Sequence, residues 1–160
     1  MRGKISKKEV EMQKPWQEFE DFIAKALSGK KTPGSGNRRI KGDIAGNRFL
    51  VECKSTESEF MDVNTEWFSK IKEACLENGT YTAIPVVALG FAPFEERSTV
   101  LFIPYTGGLG TDKDLSSFGS FRISKRALIP GVKYLLSSGP WVAFSIREFK
   151  DLLERLQDAE

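Results

Sequence analysis

The chain of 160 residues contains no histidine. That absence excludes histidine-activated nucleophiles and histidine-ligated zinc. Cysteine is scarce as well. Cys53 and Cys75 alone cannot build a disulfide framework or a four-thiolate metal site, which points to a reducing compartment and a cytoplasmic protein. No apolar run approaches the ~18 residues of a membrane span, so no membrane role is expected. The opening stretch MRGKISKKEVEMQKPW lacks the apolar segment of a secretory signal. Internal repeats and low-complexity segments are also missing. The chemistry left to the chain is that of carboxylate, lysine, arginine and hydroxyl groups.

What is present is ordinary globular material, 40% hydrophobic and 29% charged, long enough for one domain with a real core. The net charge of +2 is unevenly spread. Residues 1–54 hold 13 Lys/Arg against 7 Asp/Glu, and residues 55–160 hold 11 against 15, so the first third is +6 and the rest −4. Such a basic section is either a solvated surface or an electrostatic footprint for phosphates.

Residues 1–14 are polar and basic and read as a flexible tail, followed by a single domain over 15–160 with its core in 15–92 and an extension of sheet and helix over 95–160. Helical periodicity starts at Pro15, a favoured first-turn residue, and puts Trp16, Phe19, Phe22, Ile23, Ala26 and Leu27 on one stripe. The helix should stop near Ser28-Gly29. A basic Gly/Ser/Pro loop, SGKKTPGSGNRR, follows over 28–39. Strands are expected over 40–45 and 48–54, joined at Gly46-Asn47. A second amphipathic helix over 64–78 carries Trp67, Phe68, Ile71, Ala74 and Cys75. The apolar run TAIPVVALGF over 82–91 predicts a buried strand, with Pro85 at its start or at a kink. Further strands are expected at 98–104, near 121–124 and near 140–144, with a loop over 105–120 and a closing helix over 146–158. Together these predict an α/β domain with a central mixed sheet. Its first three strands, around 40–54 and 82–91, are expected to form an antiparallel meander flanked by helices 15–27 and 64–78.

The stretch IKGDIAGNRFLVECK over 40–54 carries the chemistry. Period two puts Glu52 and Lys54 on the same face of the second strand. Asp43 stands across the hairpin, within bridging reach. Two carboxylates and a backbone carbonyl suit Mg²⁺, with Mn²⁺ as a substitute, and leave room in the shell for waters and a phosphate oxygen. Such an ion stabilises charge on phosphate and lowers the pKa of a bound water, and the lysine orients that water or stabilises developing charge. Glu18 and Glu20 flank the apolar stripe of the first helix, and either could add a third carboxylate. In the loop TPGSGN, glycines allow close backbone approach and Ser35 offers a hydroxyl, which suits phosphate contact. Lys30, Lys31, Arg38, Arg39 and Lys41 precede Asp43 and are delivered to the edge of this pocket, where a phosphodiester backbone would run.

The ordered set of Glu18, TPGSGN, KGDI, FLVECKST and PVVALGF over residues 16–92 resembles the PD-(D/E)XK nuclease superfamily, and within it is most similar to archaeal-type and phage-encoded Holliday junction resolvases. The resemblance implies a restriction-endonuclease-like sheet and a Mg²⁺-dependent, structure-selective DNA endonuclease. Asp43 and Glu52 would ligate metal, with the Cys53 carbonyl beside them. Lys54 would be the catalytic lysine, Glu18 the helix carboxylate, and Ser35 a contact to the DNA backbone. Gly42 stands where the superfamily name has proline. Glu66, Lys70 and Lys72 occupy the second helix where many members place a polar residue near the site, and Lys70 is the candidate. The partner would be branched DNA such as a four-way junction, and two symmetry-related scissile phosphates imply a homodimer. A phage-encoded chain would work in the host cytoplasm. Two other classes compete: another nuclease of this superfamily acting in restriction, repair or end processing, and a non-catalytic nucleic-acid-binding module. Retention of both carboxylates where phosphate must sit argues against the last.

Overall fold

A computed structural model describes residues 13–32, 42–77, 83–107 and 112–158. Helix α1 spans Pro15–Leu27 and buries Phe19, Ile23 and Leu27, one residue per turn. Its first turn is closed by Gln17, whose side chain accepts from the Lys14 N–H at 3.0 Å. It ends where Ser28 adopts a left-handed conformation and the Gly29 N–H donates back to the Ala24 carbonyl at 2.9 Å. Strands β1 (Lys30–Lys31) and β2 (Ile44–Ala45) are two residues each, and β3 (Phe49–Thr56) is a full eight. Strand β4 (Phe60–Asn64) leads into α2 (Glu66–Glu77), whose first N–H is capped by the Asn64 side chain at 2.8 Å. The remaining elements are β5 (Ile84–Phe91), β6 (Thr99–Pro104), β7 (Lys113–Asp114), β8 (Ser120–Ser124), β9 (Lys133–Leu136), β10 (Gly139–Phe144) and α3 (Ile146–Asp158).

Eight strands form one mixed sheet in the order β1-β2-β3-β5-β6-β10-β9-β7, and β4 pairs with β8 in a separate antiparallel ribbon. The chain is thus a mixed α/β domain with a large sheet and flanking helices. One expectation is overturned. Strands β2 and β3 are antiparallel, but β3 and β5 are parallel, with Phe49 opposite Ile84 and Thr56 opposite Phe91. The reason is the connection. A helix placed between two sheet strands returns the chain to the end where it began, so the second strand must run alongside the first. Pro85 is accommodated at the second residue of β5.

The sheet separates two cores. On one face α1 and α3 cover Ile44, Phe49, Val51, Val86, Ala88 and Leu101. On the other, α2 and the β4–β8 ribbon cover Leu50, Val87, Leu89, Phe102 and Trp141. The continuous apolar run of β5 is explained by this double burial, since alternate residues serve opposite layers. No helix among the described residues is long and apolar enough to cross a membrane. Residues 1–12, in the proposed tail, lie outside the described residues.

Candidate active site

The site forms where β2 is too short to accompany β3. Ile44 stands opposite Val51 and Ala45 opposite Leu50, so the residue before β2, Asp43, arrives beside Glu52. The Asp43 N–H donates to the Val51 carbonyl at 2.7 Å. Its carboxylate then replaces the missing strand, accepting from the Cys53 N–H at 2.8 Å. Thr32 locks the approach: its N–H donates to the Asp43 carbonyl at 2.9 Å and its hydroxyl to the Gly42 carbonyl at 2.6 Å. Gly42 itself has φ +95°. Proline, fixed near −65°, cannot take that conformation, so glycine here is a local requirement of this turn.

Lys54 follows Glu52 by two residues on the same face, and its Nζ lies 3.2 Å from Glu52 Oε2. Trp67, in the first turn of α2, supports the ammonium from the side, with its ring centroid 5.0 Å from Nζ. Lys70, one turn on, lines with Gly42, Glu52 and Glu73 a cleft of about 370 Å³. Lys70 pairs weakly with Glu66 at 3.9 Å on an exposed helix face, and its charge also acts on Glu52. Lys72 is committed elsewhere, donating to the Ser138 carbonyl at 2.7 Å beneath the Trp141 ring.

The carboxylates repel one another. Burial raises the Asp43 carboxyl above its ordinary value, against the opposing Cys53 N–H and Lys54 charge. Glu52 is raised first by burial and then by Asp43, with Lys54 and Lys70 opposing. A third carboxylate, on α1, feels the charge of both. Glu20 is pushed up to about 7, by burial first and then by the Asp43 charge, while Lys31 opposes. The resemblance names Glu18 as the helix carboxylate, with Glu20 as the alternative on the same helix: Glu18 is exposed, and the α1 carboxylate in the field of Asp43 and Glu52 is Glu20. A signal was available, because Glu20 lies three residues before Ile23 and seven before Leu27, on the buried row, and Glu18 does not.

Of the basic residues, Lys30 is exposed on β1. Lys31 is held by α1, 3.0 Å from Asp21 Oδ1 and 3.9 Å from Glu20 Oε1. Ser35, Arg38, Arg39 and Lys41 lie outside the described residues. The Cys53 side chain packs with the α1-side core, and burial, with the Asp43 charge, pushes its thiol well above the ordinary value. It therefore stays protonated, leaving its backbone carbonyl as the group on offer.

Among the described residues no three His, Cys, Asp or Glu side chains converge as a ready-made ligand set. The donor chemistry nonetheless fits a hard dication. Asp43 and Glu52 are half-buried carboxylates, both raised by desolvation and Glu52 also by the Asp43 charge, costs that a bound cation relieves. The chain matches no family model and no curated protein.

Proposed function

We propose that this chain is a Mg²⁺-dependent, structure-selective DNA endonuclease of the PD-(D/E)XK kind, acting as a Holliday junction resolvase, with a restriction-endonuclease-like fold. The observation that carries the reading is the cluster of Asp43, Glu52 and Lys54 on one hairpin, with the carboxyls of both acids raised. The element order supports it too: helix, hairpin, crossover helix and parallel strand set the cluster at the sheet's edge, where a backbone phosphate has access.

On this reading Asp43, Glu52 and the Cys53 carbonyl would hold the ion, which when bound stabilises charge on the phosphate and acidifies its water. The chain's own groups divide the rest. Lys54 presents a positive charge fixed between Glu52 and Trp67, aimed at charge that develops in the transition state. Glu20, titrating near neutrality, can hold or release a proton beside Asp43. Lys30 and the basic stretch before Asp43 meet flanking phosphates. A homodimer would present two such sites to a four-way junction.

The test is cleavage of labelled four-way junction, duplex and single strand, side by side, with Mg²⁺ or with EDTA. The junction should be cut in Mg²⁺ and left intact in EDTA. Asp43→Asn, Glu52→Gln and Lys54→Ala should each lower the rate about 100-fold or more, with binding little changed. Cleavage that survives in EDTA, or in Glu52→Gln at the wild-type rate, overturns the mechanism.

A further inference from the structure

Three tryptophans have three different fates. Trp141 is fully buried, Trp67 is half-buried against Lys54, and Trp16 is 51% exposed. The exposure of Trp16 runs against its place in the sequence. It lies three residues before Phe19 and seven before Ile23, in the row that α1 buries. Phe19 already sits over Gly90, near the end of β5, and packs on Phe94 with ring centroids 5.1 Å apart. Trp16, one turn before Phe19, is left exposed. No aromatic or cationic group among the described residues stacks on its ring.

Two further observations give that exposed ring a context. Trp16 is one helical turn from Glu20, whose carboxyl is in the field of Asp43 and Glu52. The second indole, Trp67, comes from α2 on the opposite face of the sheet and flanks the same cluster through Lys54. The chain ahead of Trp16 is basic, with Arg2, Lys4, Lys7, Lys8 and Lys14 against Glu9 and Glu11. An exposed indole one turn from Glu20, preceded in the sequence by an excess of cationic residues, is the chemistry that recognises a polyanion with flat aromatic groups.

We propose that Trp16 stacks on an unpaired nucleobase of the DNA whose phosphate reaches Asp43 and Glu52. This inference rests on the nuclease reading and specifies which feature of the DNA that site selects. In continuous duplex every base is covered on both faces, so the indole finds no ring to cover. At a gap, flap or branch point one base face is open, and stacking removes the indole and the base from water together. Because every base offers a π-face, the selection is for interrupted stacking and is indifferent to sequence.

The experiment uses the full chain in EDTA, with a gapped duplex and a continuous duplex of equal length. Emission that is present in wild type and missing in Trp16→Phe should be quenched by the gapped DNA. Trp16→Ala should bind the gapped DNA roughly tenfold more weakly and the continuous duplex within about twofold of wild type, with Trp16→Phe between. Unquenched emission, or equal losses on both DNAs, overturns the inference. Loss of binding accompanied by a change of oligomeric state does so too, and would assign Trp16 to contact with a second copy. The two readings fail separately. A wild type that cuts junctions but shows no Trp16 quenching sinks only the stacking role, whereas one that binds the gapped DNA through Trp16 and never cuts sinks only the hydrolysis.

Discussion

Glu20 has a lysine ammonium 3.9 Å away and its carboxyl is still pushed up to about 7. Lys31 is shared with Asp21, which it approaches more closely, at 3.0 Å, so its charge does not compensate for burial plus the Asp43 charge. The consequence for stability has a definite sign. Between about 4.5 and about 7 the folded chain holds a proton on Glu20 that the unfolded chain has lost, so stability falls as pH rises through that window. Asp43 and Glu52, also raised, add slopes of the same sign. Glu20→Gln removes one of these contributions. Its melting temperature should change less than that of wild type between those pH values, and its advantage should be largest above pH 7. Parallel profiles for the two proteins would show that Glu20 titrates normally. On the nuclease reading, Glu18→Gln cuts at nearly the wild-type rate and Glu20→Gln more slowly, a direct rate comparison at one pH. The hairpin residues were legible from alternation alone, because Glu52 and Lys54 need only period two to share a face. The helix carboxylate was not, because two acids two residues apart are separated only by where the burial stripe runs, and Trp16, which shares that stripe, is exposed.

At the scale of elements, the site depends on how α1 is seated, and the seat is Gly90. A Cβ at that position would collide with the Phe19 ring. Gly90→Ala must therefore displace a fully buried aromatic ring, and overpacking of this kind costs about 1–3 kcal/mol. Urea unfolding should show that loss. Because Glu20 follows Phe19 directly, the pH dependence conferred by Glu20 should shrink in the same variant. A stability equal to wild type would mean that α1 slides freely on the sheet. Helix limits were readable because their punctuation is local: Pro15 and Ser28-Gly29 bound α1, and the closing helix is set by its own stripe. Strand direction was not, since nothing in the residues of β5 tells parallel from antiparallel pairing. Strands β4 and β9 escaped notice because at five and four residues their alternation is too brief to stand out. Inward Met61 and Val63 acquire meaning only once Ile123 and Phe121 of β8 face them across the ribbon.

Over the whole molecule, the half without a recognisable motif proves inseparable from the half that has one. Strand β6 lies against β5, and β10 against β6, so Leu101, Phe102, Trp141 and Val142 complete the same two cores. Charge, by contrast, is segregated along the chain, with +6 in residues 1–54 and −4 in the remainder. The first of these sections supplies α1, β1, β2 and most of β3, the elements that gather around Asp43. On the nuclease reading this section is the one that attracts a polyanion, although its basic residues in 1–12 and 33–41 lie outside the described residues. The two described lysines of β1 should then behave differently. Lys30 is exposed and, among the described residues, makes no ion pair with α1, whereas the charge of Lys31 is already answered by Asp21 and Glu20. Each lysine that meets a phosphate releases condensed counterions, worth about one unit in the slope of log affinity against log salt. Lys30→Ala should flatten that slope by about one unit across DNA sequences, and Arg38→Ala and Arg39→Ala likewise. Lys31→Ala should change it less. Binding titrations at several salt concentrations decide the matter. Equal slopes for Lys30→Ala and Lys31→Ala would show that Lys31 leaves its carboxylates for the phosphates, and unchanged slopes throughout would leave β1 and the stretch before Asp43 without a DNA role.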